Sequence, residues 1–173
     1  MAAFTEDEID QDWPIWDLFQ NGGVVLFRGA DMLDGAIGRL QSSGYRVHVI
    51  DCQIHKEEEA TLKAIVDSLK IPRYANMSLD GFNDFISQIE FDDVTGVIII
   101  LVGFHYLHAA CPKRAFYVLD ILADNHRNHL LMGHRLLTLV QTDDPRMDEK
   151  IGVIGGYKPM WNSGEWFNRD RGL

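Results

Sequence analysis

The segment Gly96-Val97-Ile98-Ile99-Ile100-Leu101-Val102 carries six consecutive aliphatic residues, most of them β-branched. A run of this kind has no polar face, so it suits neither a surface strand nor an amphipathic helix. It suits the interior of a parallel sheet that is covered on both sides. This segment is expected as the central strand.

Val24-Val25-Leu26-Phe27, after the turn signal Asn21-Gly22-Gly23, is a second short apolar run of the same type. Asp31 is placed to cap a following helix whose Met32, Leu33, Ile37 and Leu40 share one face, and Ser42-Ser43-Gly44 ends it. A strand over 46–51 then completes a βαβ unit, which implies a right-handed crossover and a parallel sheet. Leu62, Ile65, Val66 and Leu69 mark a helix over 57–69 that Pro72 stops, and a loop runs to Met77. Ser78 is placed to cap the next helix, from about 79 to 89, with Leu79, Phe82, Ile86 and Ile89 on one face and Asp80, Asn83, Asp84 and Ser87 opposite. Pro112 opens a helix to about His126, and 136–140 supplies the fourth strand. The expected class is α/β with a small parallel sheet of about four strands. Residues 1–20 hold six acids and no Lys or Arg and are expected as a solvated acidic arm whose Trp13-Pro14-Ile15-Trp16 end docks on the body. The body spans 21–148, and the Gly- and Trp-rich tail 149–173 is expected to pack without regular structure.

Charge restricts the partners. Lys plus Arg number 16 against 26 Asp plus Glu, a formal net charge of -10. Such a surface repels phosphate backbones and anionic membranes and attracts a basic protein. No stretch reaches the roughly 18–20 apolar residues of a membrane span, and Met1-Ala2-Ala3-Phe4 leads into acids instead of a signal peptide, so a cytoplasmic protein is expected. Cys52 and Cys111 are too few for a disulfide framework and are expected as inert thiols of a reducing compartment.

Few residues offer chemistry. Asp80 and Asp84 share a helix face, a pattern that an ordinary solvated face also produces. Acid–base catalysis would need a cleft that raises one carboxyl, and no neighbouring segment supplies it. His105 with His108, and His126 with His129, are spaced for a metal, but no third ligand, zincin glutamate or cysteine pair accompanies them, so no metal is expected. Phe27-Arg28-Gly29-Ala30-Asp31 lacks a dinucleotide glycine pattern, and no Gly-Lys-Ser/Thr or Gly-x-Ser-x-Gly occurs, so neither cofactor nor enzyme activity is expected.

The stretch Leu69-Lys70-Ile71-Pro72-Arg73-Tyr74-Ala75-Asn76-Met77-Ser78-Leu79-Asp80-Gly81-Phe82-Asn83-Asp84-Phe85-Ile86 resembles the signature of the barstar family, intracellular inhibitors of secreted ribonucleases. In that family an apolar residue and Pro lead through a tyrosine-containing loop into a Leu-Asp-x-Leu-x-Asp helix; Pro72, Tyr74, Leu79, Asp80 and Asp84 match, with Phe82 in the place of an aliphatic residue. The succession of elements over about 45–142 is similar as well. Asn76 stands where the family usually has Gly, Ser78 where it has Asn, and Asn83 where a Trp commonly precedes the second Asp.

The resemblance implies a three-layer barstar-like fold without cofactor and a partner-binding surface of Tyr74, Asn76, Ser78, Asp80, Asn83 and Asp84, extended to Ser87. Its carboxylates would stand in for substrate phosphate in the active site of a basic ribonuclease or ribonuclease-type toxin. The chain would then be an inhibitor or immunity protein that touches neither nucleic acid nor membrane. Two other readings remain at this stage: a barstar-fold interaction module with a non-ribonuclease partner, reached through the acidic arm or the tail, and a small α/β enzyme.

Overall fold

A computed structural model describes residues 3–20, 22–54, 58–70 and 78–173. Its centre is a five-stranded sheet in which every pairing is parallel, in the spatial order β2-β3-β4-β1-β5, with β1 Val24–Phe27, β2 Tyr45–Asp51, β3 Gly96–Val102, β4 Leu136–Gln141 and β5 Met160–Trp161. The aliphatic run is β3, buried over its length up to Leu101 and paired with β2 (Tyr45↔Gly96) and β4 (Val97↔Leu136). It is not the central strand: β4 is, because β1 pairs with the far side of β4 (Val24↔Thr138). Consequently β1 and β2, although linked by one helix, lie with two strands between them. The edge strand β2 tolerates exposed Arg46, Val49 and Asp51, as one-sided pairing allows.

Side chains alternate along the strands and divide the interior into two cores. Val97, Ile99 and Leu101 of β3 join Phe82, Ile86, Leu119 and Leu122 on one face of the sheet, whereas Ile98 and Ile100 join Leu33, Leu40 and Phe19 on the other. Helices α1 Glu6–Gln11, α2 Trp13–Phe19 and α3 Ala30–Ser42 come first in the chain, and α2 and α3 cover the second face. The first face is covered by α4 Glu58–Ser68, α5 Leu79–Ser87, α6 Phe104–Ala110 and α7 Pro112–Leu131. The α/β three-layer expectation therefore holds, with one strand more than expected.

Several local expectations are corrected. The expected solvated arm is two helices, Glu6–Gln11 and Trp13–Phe19, with a Thr5–Glu8 capping box at the head of α1; its 13–16 end does meet the body, since Ile15 is buried together with Leu18 and Phe19 of α2. The N-cap of α3 is Gly29, not Asp31. α7 continues past His126 to Leu131, because no breaker precedes Gly133, whose φ is +88°. The tail is partly regular: α8 Met147–Ile151 precedes β5, which pairs with β1 (Val25↔Met160), and single 3-10 turns follow at Ser163–Glu165 and Asn168–Arg171. Among the described residues no helix is long and apolar enough to cross a membrane.

Candidate functional site

The proposed contact face is built on α5. Ser78 is its N-cap, with Oγ accepting from the Gly81 amide at 3.1 Å, so this hydroxyl is committed to starting the helix. Phe82, Phe85 and Ile86 turn into the first core, which leaves Asp80, Asn83, Asp84 and Ser87 on the solvent side. Asp80 and Asp84, one turn apart, are both exposed, and neither lines the roughly 430 Å³ cavity between Phe19, His126 and Tyr157. Asp80 lies in the first turn, where the helix dipole favours a negative charge. Ser87 donates from Oγ to the Asp84 carbonyl at 2.7 Å and is thereby turned back onto its own helix.

Two side chains of α7 fix α5 in place. Asn125, buried, donates from Nδ2 to Asn83 Oδ1 at 2.9 Å and to the Ile121 carbonyl at 2.9 Å. His129, one turn further on, bonds through Nε2 to the Ile86 carbonyl at 2.9 Å. Burial holds the His129 ring below the ordinary histidine value, against the opposing pull of the Ile86 carbonyl, so the neutral ring donates from Nε2. Phe91, just after the helix, stacks on His134 with centroids 4.7 Å apart and meets the His129 ring edge-on at 4.9 Å. Asn125 and His129 are the residues sequence reasoning missed. The His126/His129 spacing drew attention as a metal pair, but the two rings face different carbonyls: His126 Nδ1 meets Leu136 and His129 Nε2 meets Ile86. Among the described residues no three His, Cys, Asp or Glu side chains come together as a metal site.

Tyr74 and Asn76, together with the rest of the loop 71–77, lie outside the described residues. The structure thus places four of the six expected contact residues on one helix and its cap. What this arrangement offers chemically is a pair of exposed acceptors on a rigid support. A surface of that kind binds hydrogen-bond donors and positive charge, and it holds neither a nucleophile nor a desolvated acid–base pair.

A family model described as barstar (barnase inhibitor) matches residues 45–141, from the first residue of β2 to the last of β4 and over more than half of the chain. Among solved structures the chain is similar to a Walker-type ATPase of Pyrococcus abyssi, with 12% identity and a TM-score of 0.57, covering 94% of this chain and 55% of that one. It is also similar to Cdc6p of Pyrobaculum aerophilum, with 19% identity and a TM-score of 0.52, covering 91% and 45%. This chain spans about half the length of each, and the likeness at such identities is one of fold alone. No curated protein matches the chain.

Proposed function

The chain belongs to the barstar family, and from that membership we propose that it binds and blocks the active site of a basic ribonuclease or ribonuclease-type toxin, as a cytoplasmic inhibitor or immunity protein without enzymatic activity. The observation that carries this reading is the exposure of Asp80 and Asp84 together on α5, inside the family-matched segment, while the opposite face of the helix is locked into the core. Carboxylates presented in this way pair with the Arg, Lys or His that a ribonuclease uses to hold phosphate, and the net charge of -10 favours encounter with a basic partner. The loop containing Tyr74 and Asn76 would add the aromatic anchor. The decisive measurement is inhibition of a basic ribonuclease or ribonuclease-type toxin that the parent protein binds. The Asp80→Ala, Asp84→Ala double variant should inhibit more than about tenfold less tightly with an unchanged melting curve; inhibition as tight as the parent's overturns the site.

One observation favours a second reading, a barstar-fold interaction module with a different protein partner. Asn83 occupies a central place on the face, and its amide oxygen is already taken by Asn125, so the described part of the surface offers little beyond two carboxylates. Exposed Trp13 and Tyr157 lie on the N-terminal helices and the tail, outside the family match. The readings separate when a captured partner is released by Trp13→Ser with Tyr157→Ser but not by the Asp80, Asp84 variant. Likeness to a Walker-type ATPase brings no nucleotide chemistry with it, because the β1–α3 turn, Arg28-Gly29-Ala30, has no Gly-Lys-Ser/Thr sequence.

A further inference from the structure

Glu165 is only 6% exposed, and its side chain is seated at the head of α3. Oε2 accepts from the Arg28 amide at 2.8 Å, and Oε1 accepts from the Gly29 amide at 2.7 Å. The side-chain amide of Asn162 donates a third bond to Oε2 and also reaches the Leu26 carbonyl at 3.1 Å. Arg28 and Gly29 leave the carboxyl end of β1, beside the carboxyl end of β4, the region in which open parallel sheets take their ligands and present free helix-terminal amides to anions. Here the anion belongs to the chain itself.

The seat is shaped for it. A Cβ at Gly29 would stand 3.2 Å from Glu165 Oε1, and one at Gly164 would stand 2.2 Å from Met32 Cε on α3, so these two glycines let the turn and the helix head approach each other. Buried Arg171 holds the segment from behind: it donates to the carbonyls of Pro145, Glu165 and Trp166 and lies over the Trp161 ring at 4.8 Å. Its guanidinium goes to the backbone of Glu165 and leaves the carboxylate to the amides.

We infer that residues 162–171 are an internal plug in which the Glu165 carboxylate fills the oxyanion position of this sheet, so the folded chain takes no phosphate or nucleotide there, and the same amides accept a free oxyanion once that carboxylate is removed. The test uses full-length parent and Glu165→Ala protein with inorganic phosphate, against chloride at equal ionic strength. Melting temperature and the Arg28 and Gly29 amide resonances are read. The variant should melt roughly 5–10 °C lower in chloride, and millimolar phosphate should restore part of that loss and move both resonances, while the parent responds to neither phosphate nor ATP. Parent amides that shift on adding phosphate or ATP show that the position is open and overturn the inference. A variant as stable as the parent, or one indifferent to phosphate, overturns it equally. If Glu165→Ala does not fold, the parent titration still decides closure, and Glu165→Ser, which also removes the carboxylate and vacates the position, takes the phosphate arm with the same outcomes.

Discussion

His129 donates from Nε2 to the carbonyl oxygen of Ile86 at 2.9 Å, so the last turn of α5 hangs from α7 by a side chain. Asn125 does the same for Asn83 one turn earlier. The exposed carboxylates of α5 therefore owe their position to two polar residues buried behind the helix.

His129→Leu keeps apolar volume but removes the side-chain donor, which leaves the Ile86 carbonyl only a long 3.5 Å bond from the Ile89 amide. The expected cost is about 1 kcal/mol in urea unfolding. Amide exchange should rise in α5 more than in β3, and partner affinity should fall with Asp80 and Asp84 intact. Uniform loosening of both elements would mean that His129 does not position α5.

Stability should depend on pH through the buried histidines. Burial lowers the pKa of His126 and of His129, and the carbonyl bonds to Leu136 and Ile86 only partly oppose it. His48 and His108 are lowered for the same leading reason. In the window between the lowered folded values and the ordinary value of 6.5 the unfolded chain binds protons that the folded chain does not. Stability is thus fully present above the ordinary value and lost as pH falls below it, by up to about 1.4 kcal/mol per pH unit for a ring as buried as His126. Urea midpoints from pH 8 to 5.5 measure this; His126→Gln should flatten the slope, and a midpoint that rises on acidification would reverse the assignment.

The thiols should differ in reactivity. Burial, with the nearby Asp51 charge, pushes the Cys52 thiol up to about 12, whereas Cys111 is half-buried at the start of α7. A thiolate-specific disulfide reagent at mildly alkaline pH should titrate one thiol in the native protein and the second only after unfolding. Two fast thiols would show that the region around Cys52 opens.

What the sequence made legible follows from where the deciding contacts lie. The β3 run, the Ser78 cap and the apolar stripe of α5 are local patterns, and each appears in the structure. Thr5-x-x-Glu8 is an equally local capping signal for α1, passed over because the acids around it read as a solvated arm. The two-residue strand Met160–Trp161 has no periodicity of its own and exists by pairing with β1, more than 130 residues earlier. Asn125 and Glu165 are equally silent in sequence, since their partners Asn83, Arg28 and Gly29 are brought to them only by the tertiary fold. The central place of β4 likewise depends on strand order, which apolarity does not encode.

Arg135, just before β4 and 8% exposed, ties the N-terminal helices to the sheet: it donates to the Ala3 carbonyl and Glu8 Oε1, both at 2.6 Å, and to the Tyr45 hydroxyl at 3.3 Å, and it lies 3.9 Å over the Phe4 ring. The Thr5 backbone bond and then the Arg135 bond hold the Glu8 carboxyl below the ordinary value, with burial opposing them. That contribution is present above the ordinary carboxylate range and is lost as pH falls through the lowered folded value. Glu8 is nearly half exposed, so Glu8→Gln should cost well under about 1 kcal/mol and remove only this acid-range dependence. Arg135→Leu should cost more, about 2 kcal/mol, because the buried Tyr45 hydroxyl also loses a partner. Fluorescence of Trp16, which packs on Phe4 at 5.1 Å, reports the release of α1 in both variants. Equal losses for the two substitutions would place the whole effect in the Glu8 pair and leave no anchoring role for the rest of the Arg135 cluster.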